Sequence, residues 1–196
     1  MKTRPYHHGD LRAALLDRAE QTLRRKGPDG LSLRELAREV GVSPGAPSHH
    51  FKGRQALLDA LALEGYARLT SALTGVLEQA GDSFADRLAA LARAYVAFAT
   101  ANAALLDLMY GHKHETTAPE ELTAATQRLA ALGTQLIEDG QRRGEIRQGP
   151  ANRAAIPLTA ALQGLTALAL SGTLSAEQIE EGLVETTAVL LRGYAP

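Results

Sequence analysis

The sequence has no cysteine, no tryptophan and an aromatic content of only 4%. Without cysteine, neither disulfides nor thiolate chemistry can contribute, and a reducing compartment is compatible with the composition. No apolar run approaches the roughly 18 residues of a membrane span, and the first eight residues lack the apolar centre of a signal peptide. These absences predict a soluble cytoplasmic protein with no membrane partner.

Signatures of catalysis are also scarce. The chain has no glycine-rich phosphate loop, and no paired acidic residues lie inside an apolar helix face, where their pKa values would separate. We therefore expect neither an enzyme nor a cofactor.

Net charge is close to zero, at −1, but the charge is segregated along the chain. Residues 1–55 carry a net charge of +5 and residues 56–196 a net charge of −6. A basic N-terminal quarter can bind phosphates locally while the rest of the protein repels DNA. Chance variation in composition is the alternative explanation.

Leucine and alanine recur at helical spacing throughout, and β-branched residues never alternate in runs, so the sequence predicts an all-α fold. Cap and breaker residues divide this pattern. Asp10, Ser32 and either Asp82 or Ser83 are cap candidates, and Ser32 with Glu35 has the spacing of a capping box. The predicted helices lie at about 10–26, 33–40, 53–80, 83–102, 103–110, 119–144, 150–171 and 175–192.

Residues 33–44 are the most informative stretch, because they combine a short amphipathic helix with a turn and a second helix start. One face of the first helix is apolar at positions i, i+3, i+4 and i+7, namely Leu33, Leu36, Ala37 and Val40. Gly41 suits the left-handed C-cap, Ser43 suits an N-cap and Pro44 suits the first turn of the next helix. This pattern predicts a helix-turn-helix, with a short polar helix that reads DNA after Pro44.

Five segments carry a resemblance to a known family: 6–12, 30–37, 41–45, 50–52 and 56–58, with sequences YHHGDLR, GLSLRELA, GVSPG, HFK and ALL. Over about residues 8–58 the chain resembles the DNA-binding domain of the tetracycline-repressor (TetR) family of bacterial regulators. The later segments 95–98, 105–111 and 162–165 are similar to a subgroup with a Trp-x-His-Gly-like signature, of which Gly164 is kept without a preceding Trp or His.

The resemblance implies a helix-turn-helix DNA-binding domain at 1–55 and a helical regulatory domain at 56–196. It implies a homodimer, most readily a repressor, that reads a palindromic double-stranded DNA operator and is released by a small-molecule effector. The family's DNA contacts fall here on Ser32, Arg34, Ser43, Pro44, Gly45, Ser48, His49, His50 and Lys52.

Two residues depart from the family pattern. Ser48 replaces a common aromatic residue, and Pro47 lacks an N–H that would bond in the first helical turn. They predict a short or irregular recognition helix with weakened or unusual base preference. A helical ligand-binding or interaction protein that has lost operator binding is the alternative.

The effector site is predicted from the few aromatic residues beyond the first domain and the aliphatic residues around them. A mostly hydrophobic small molecule would suit such a pocket, although the same residues could simply fill the core. They are Tyr66, Leu69, Leu88, Leu91, Tyr95, Phe98, Leu106, Met109, Tyr110 and Leu162.

The last two helices carry apolar stripes broader than one buried face requires. In the family such a pair forms a four-helix bundle with its symmetry mate, and packing within one chain is the alternative. The predicted interface residues are Leu158, Leu162, Leu165, Leu168, Ile179, Leu183, Thr186 and Leu190.

Histidines suggest a metal site at three places, and we expect none at any of them. Neighbouring histidines, as at 7–8 and 49–50, point in different directions on a helix, with no carboxylate four residues later. His112 and His114, with Glu115, alternate in a polar loop and could converge, but an ordinary polar loop is the favoured explanation.

Overall fold

The structure is a computed structural model that describes residues 8–111 and 119–196, with side chains described from residue 11 onward. Within these ranges there are eight α-helices, two short 3-10 helices and no strand, so the all-α prediction is confirmed. The α-helices are α1 His8–Lys26, α2 Leu33–Val40, α3 Arg54–Gln79, α4 Phe84–Ala101, α5 Ala103–Gly111, α6 Glu120–Arg142, α7 Ala151–Leu170 and α8 Ala176–Tyr194. The 3-10 helices are Pro28–Gly30 and Ala46–His49.

The ends of α2 follow from local sequence. The Ser32 hydroxyl accepts a hydrogen bond from the backbone N–H of Glu35, and Gly41 ends the helix at φ 79°, a conformation that favours glycine. Only this half of the predicted capping box is seen. The Glu35 carboxylate instead lies 3.3 Å from Lys26 Nζ and 3.5 Å from the Arg38 guanidinium.

Serine also begins two later helices. Ser83, rather than Asp82, caps α4 by accepting from the N–H of Asp86 at 3.1 Å. Ser175 and Gln178 form a complete capping box at the start of α8. At the chain's beginning the prediction was wrong, since α1 already starts at His8 and Asp10 lies inside it.

The helices form two compact units. The first contains the described residues of Met1–Gly65 and Ala104–Thr123, and the second contains Tyr66–Ala103 and Ala124–Pro196. Helix α3 contributes to both, because the division falls between Gly65 and Tyr66. The predicted domain boundary between residues 55 and 56 stays a prediction, since compact packing does not define a functional boundary.

In the second unit, Tyr194 fixes the C-terminal end of α8. Its hydroxyl donates to the carbonyl of Ala154 at 2.7 Å, its carbonyl accepts from the N–H of Arg147 at 2.8 Å, and its ring meets Phe84 edge-on at 5.8 Å. Burial of the phenol raises its pKa above the ordinary value. These contacts tie α8 to α7 and α4.

Candidate nucleic-acid interface and regulatory surfaces

The element predicted to read DNA is a 3-10 helix of four residues, Ala46–His49, here named the recognition segment. Pro47 is buried, and its carbonyl accepts from the N–H groups of His50 at 3.0 Å and Phe51 at 2.9 Å. The prediction of a short or irregular recognition helix is therefore confirmed.

Three residues per turn place Pro47 and His50 on the same face of this segment. Pro47 is buried and His50 half-buried, whereas Ser48 and His49 are exposed. The predicted cap was wrong: Gly45, not Ser43, precedes the helix, and no side chain caps it. Ser43 instead accepts the N–H of Ala46 through its backbone carbonyl at 3.0 Å.

The nine residues predicted to contact DNA are all accessible. Eight are exposed, and His50 is half-buried against the ring of Phe51, with ring centroids 6.4 Å apart. They come from the start of α2, the turn after it, the recognition segment and the residues before α3. A surface drawn from these neighbouring elements has the makeup expected of a helix-turn-helix interface.

Cations in the first unit divide into two groups. Arg18 Nε lies 2.6 Å from Glu39 Oε2, and Arg54 donates to the Pro28 carbonyl at 2.7 Å and to Asp29 at 2.9 Å. Arg34 and Lys52, in contrast, are exposed and form no ion pair or hydrogen bond within residues 8–111 and 119–196. These two cations are available for phosphates.

The basic run at the end of α1 is engaged within the chain. Arg24 pairs with Glu20 at 2.6 Å and Lys26 with Glu35 at 3.3 Å. Arg25 donates to the carbonyl of Gln21 at 3.4 Å. This arrangement favours a cationic last helical turn over a nucleic-acid patch.

The turn before the recognition segment also matches a hydrolase pattern. Gly41 to Gly45 fit Gly-x-Ser-x-Gly, in which the serine is a nucleophile raised on a strand-to-helix turn. Here α2 enters the turn, and a 3-10 helix leaves it. Without the strand, the geometry of that nucleophile does not arise.

The residues predicted to bind an effector are buried or half-buried. Phe98 and Tyr110 are half-buried, and the other eight are at most 7% exposed. Leu106, Met109 and Tyr110 belong to the first compact unit and the remaining seven to the second. Their burial fits both a pocket lining and a core, so the effector site stays a prediction.

One polar group among these helices gave no signal in the sequence. Arg68, on α3, donates to Asn102 Oδ1 at 2.8 Å, and its guanidinium lies 5.9 Å from the centroid of the Phe98 ring. Helical spacing alone does not distinguish such a half-buried arginine from a solvated one. The second unit therefore contains a cation beside a predicted effector residue.

The residues predicted at the dimer interface separate by burial. Leu158, Leu162, Leu165, Leu183 and Leu190 are each at most 9% exposed within one chain, and Ile179 and Thr186 are half-buried. Of the eight, only Leu168 is well exposed, at 45%. The packing of one chain thus already covers five of the predicted residues.

Apart from Leu168, the exposed apolar surface of α7 and α8 lies on residues outside the eight predicted ones. Every large hydrophobic side chain found exposed in the described ranges lies on these two helices: Ile156, Leu168, Leu170, Val184 and Val189. Helix α7 also has the length and hydropathy of a membrane-crossing helix, and core helices of soluble proteins can have the same length and hydropathy. In α7, 28% of the apolar window is buried. These apolar side chains are therefore left uncovered by the packing of one chain.

Metal binding gains no support from the part of the chain that the structure describes. No cluster of three or more His, Asp or Glu side chains there could hold an ion. His7, His112 and His114 lie outside the described residues, and so does the side chain of His8.

Comparison with known families matches both parts of the chain. Residues 15–61 match the model of bacterial regulatory proteins of the tetR family, which covers α2 and the recognition segment. Residues 88–190, more than half of the chain, match the model of a tetracyclin repressor-like C-terminal domain. Fold and site together define an all-α, helix-turn-helix DNA-binding regulator.

The chain belongs to the TetR family, and it is a DNA-binding transcriptional regulator. It is 46% identical to a solved protein of unknown function from Rhodococcus sp. RHA1, with a TM-score of 0.93 over 99% of this chain and 100% of that one. It is 26% identical to the uncharacterized HTH-type transcriptional regulator YobS of Bacillus subtilis, over 92% of this chain and 88% of that protein.

A third relative matches a shorter stretch of the chain. The tetracycline repressor protein class D of Escherichia coli is 42% identical over 57 residues, which are 29% of this chain and 26% of that protein. The family is one of transcriptional regulators and not of enzymes. Membership in the subgroup suggested by Gly164 stays a prediction.

Proposed function

We propose that this regulator is a homodimeric repressor that binds a palindromic operator and leaves it when a small, mostly hydrophobic effector binds the regulatory helices. It would act in the cytoplasm, where its operator lies. The observation that carries the proposal is the accessible surface between Ser32 and Lys52, which presents all nine candidate DNA contacts and two unpaired cations.

Phosphate binding is assigned to Arg34 and Lys52. Both are exposed cations that form no ion pair in the described structure, so neutralising a phosphate breaks no internal contact. His49 and Ser48 are the exposed side chains of the recognition segment that can hydrogen-bond to base edges. Ser48 is short, and therefore His49 is the main base-reading residue.

The dimer face is assigned to the exposed apolar residues of α7 and α8. Ile156 is 63% exposed and Val184 is 62% exposed, values that are unfavourable for large apolar side chains in water. A second copy would bury them around a two-fold axis, as in a four-helix bundle. The five buried leucines among the predicted interface residues would then pack behind these exposed residues.

Signal transfer is assigned to α3, which contains residues of both compact units. An effector among Tyr66, Leu69 and their neighbours would shift this helix and change the spacing of the two recognition segments. By linkage, operator must then weaken effector binding by the same factor by which effector weakens operator binding. Calorimetric titration of an identified effector with and without operator tests this, and equal affinities would refute the coupling.

The proposed function is tested by selecting bound fragments from a genomic library and footprinting them. We expect a protected palindrome whose half-sites are about one helical turn apart, with one dimer bound per site. Protection without two-fold symmetry would contradict the dimeric reading of half-sites. The weakened-preference alternative rests on Ser48 and Pro47, and it predicts fragments bound without any shared sequence.

A further inference from the structure

A cavity of about 250 Å³ that is open to solvent lies within the first compact unit, next to the residues that follow the recognition segment. Its wall includes Arg12 of α1, His50 and Phe51, Asp59 and Leu63 of α3, and Glu121 at the start of α6. It shares none of the ten residues predicted to bind an effector. Its size is slightly below the range of about 300–1,000 Å³ for drug-sized ligands, and so it suits a small metabolite.

The cavity wall carries ionisable groups of both signs. Arg12 contacts the Phe51 ring, with its guanidinium carbon 5.7 Å from the ring centroid, and Asp59 accepts from Gln55 Nε2 at 2.9 Å. In the described ranges, Arg12, His50 and Glu121 form no hydrogen bond or ion pair through their side chains. Arg12 and Glu121 thus place charges of opposite sign on one cavity wall and do not pair with each other.

We infer that this cavity binds a small zwitterion of the amino-acid type. Its ammonium group would be held by Glu121 and Asp59, its carboxylate by Arg12, and its apolar side chain against Phe51 and Leu63. Charge-assisted hydrogen bonds are about twice as strong as neutral ones. A ligand with a single charge satisfies one set of groups and is repelled by the other, whereas a zwitterion matches both.

This site is separate from the hydrophobic effector site of the proposed function. A ligand in it touches His50 and Phe51, whose N–H groups donate to the carbonyl of the buried Pro47 in the recognition segment. Binding is therefore linked to the segment that reads DNA. The effect on operator affinity rests on the proposed function, but the binding step does not.

The test titrates the DNA-free full chain, by calorimetry, with three probes that share one apolar body: L-phenylalanine, 2-phenylethylamine and 3-phenylpropanoate. L-Phenylalanine is expected to bind at least about tenfold more tightly than either singly charged probe. Equal affinities for the three probes, or no saturable binding of L-phenylalanine, would overturn the inference.

Two matched variants locate the site. Glu121→Gln should weaken L-phenylalanine binding about tenfold. Glu120→Gln, which removes a charge from the same first turn of α6 outside the cavity wall, should leave it unchanged. Equal effects of the two would mean that general charge, and not this cavity, governs binding. If L-phenylalanine binds as expected but leaves operator affinity unaltered, the site stands and its link to DNA reading fails.

Discussion

The proposed DNA-binding surface of the first unit and the exposed apolar residues of α7 and α8 are exposed for opposite physical reasons. The first consists of short polar groups, glycine, proline and unpaired cations, and water solvates these groups well. The second exposes large apolar side chains, with Val189 at 57% and Ile156 at 63%. A polar surface is well solvated when no DNA is bound. An exposed apolar surface, in contrast, favours permanent burial against a second chain.

The strongest way to break this comparison is Val184→Glu. The change places a charge from each chain into the proposed dry interface and should cost about 3 kcal/mol or more of dimer stability. Because a single chain binds one half-site only weakly, operator binding should be lost as well. Light scattering gives the mass, and circular dichroism checks that the variant stays helical.

Leu162→Glu is the matched comparison for that variant. Leu162 is 4% exposed within one chain, so its replacement should lower the unfolding temperature of the chain itself. A Val184→Glu protein that remains dimeric at micromolar concentration would exclude this face from the interface. A parent protein that is monomeric would exclude it equally.

The second prediction separates base reading from phosphate binding. His49→Ala should reduce discrimination among operator variants by about 1–3 kcal/mol at the position that His49 contacts. Ser48→Ala should have a smaller effect, because its side chain is shorter. Competition binding with single-base operator variants measures both, and unchanged discrimination in His49→Ala would show that the recognition segment is not the reading element.

A third prediction uses two glycines of α3. A Cβ at Gly65 would lie 2.7 Å from Met109 Sδ and 3.1 Å from Leu105 Cγ, whereas one at Gly75 meets nothing within 4 Å. Gly65→Ala should therefore destabilise the chain by about 1 kcal/mol. Gly75→Ala should stabilise it by about 0.5–1 kcal/mol through helix propensity. Denaturant unfolding decides, and the same sign for both would disprove the close packing of α3 on α5.

The smallest expected effect concerns the ion pair between Arg18 and Glu39. The hydrogen bond from Arg18 is the main cause that holds the pKa of Glu39 below its usual value, with smaller contributions from Arg25 and Lys26. The contribution of this pair to stability is therefore present above the unfolded pKa and is lost as pH falls through the lowered one. NMR titration of Arg18→Ala should show the pKa of Glu39 raised, and by more than in Arg25→Ala.

Local signals allowed much of the first unit to be predicted from sequence. Ser32 caps the start of α2 and Gly41 ends it, as expected, because caps depend on only a few neighbouring residues. Pro47 correctly indicated an irregular recognition segment. The prediction that Ser43 caps the recognition segment was wrong, because the chain makes a further turn through Pro44 and Gly45 before this helix begins.

The regulatory surfaces could be predicted only in part. The sequence correctly placed apolar stripes on the last two helices, but periodicity does not tell which stripe packs inside one chain. Tertiary packing buries Leu158 and Leu183 and leaves Ile156 and Val184 outside. The half-buried position of Arg68 beside Phe98 also depends on helix–helix packing, which no local pattern encodes.

The central claim is that the exposed surface of the first unit binds DNA phosphates as a dimer, and Lys52→Ala tests it most directly. Operator affinity should be measured by fluorescence anisotropy across a range of salt concentrations for the variant and the parent protein. Each lost phosphate contact makes the negative slope of log affinity against log salt shallower by about 0.9. For the dimer, which loses two contacts, the slope should become shallower by about two units, and all operators should be bound more weakly alike. An unchanged slope with parental affinity would contradict the account.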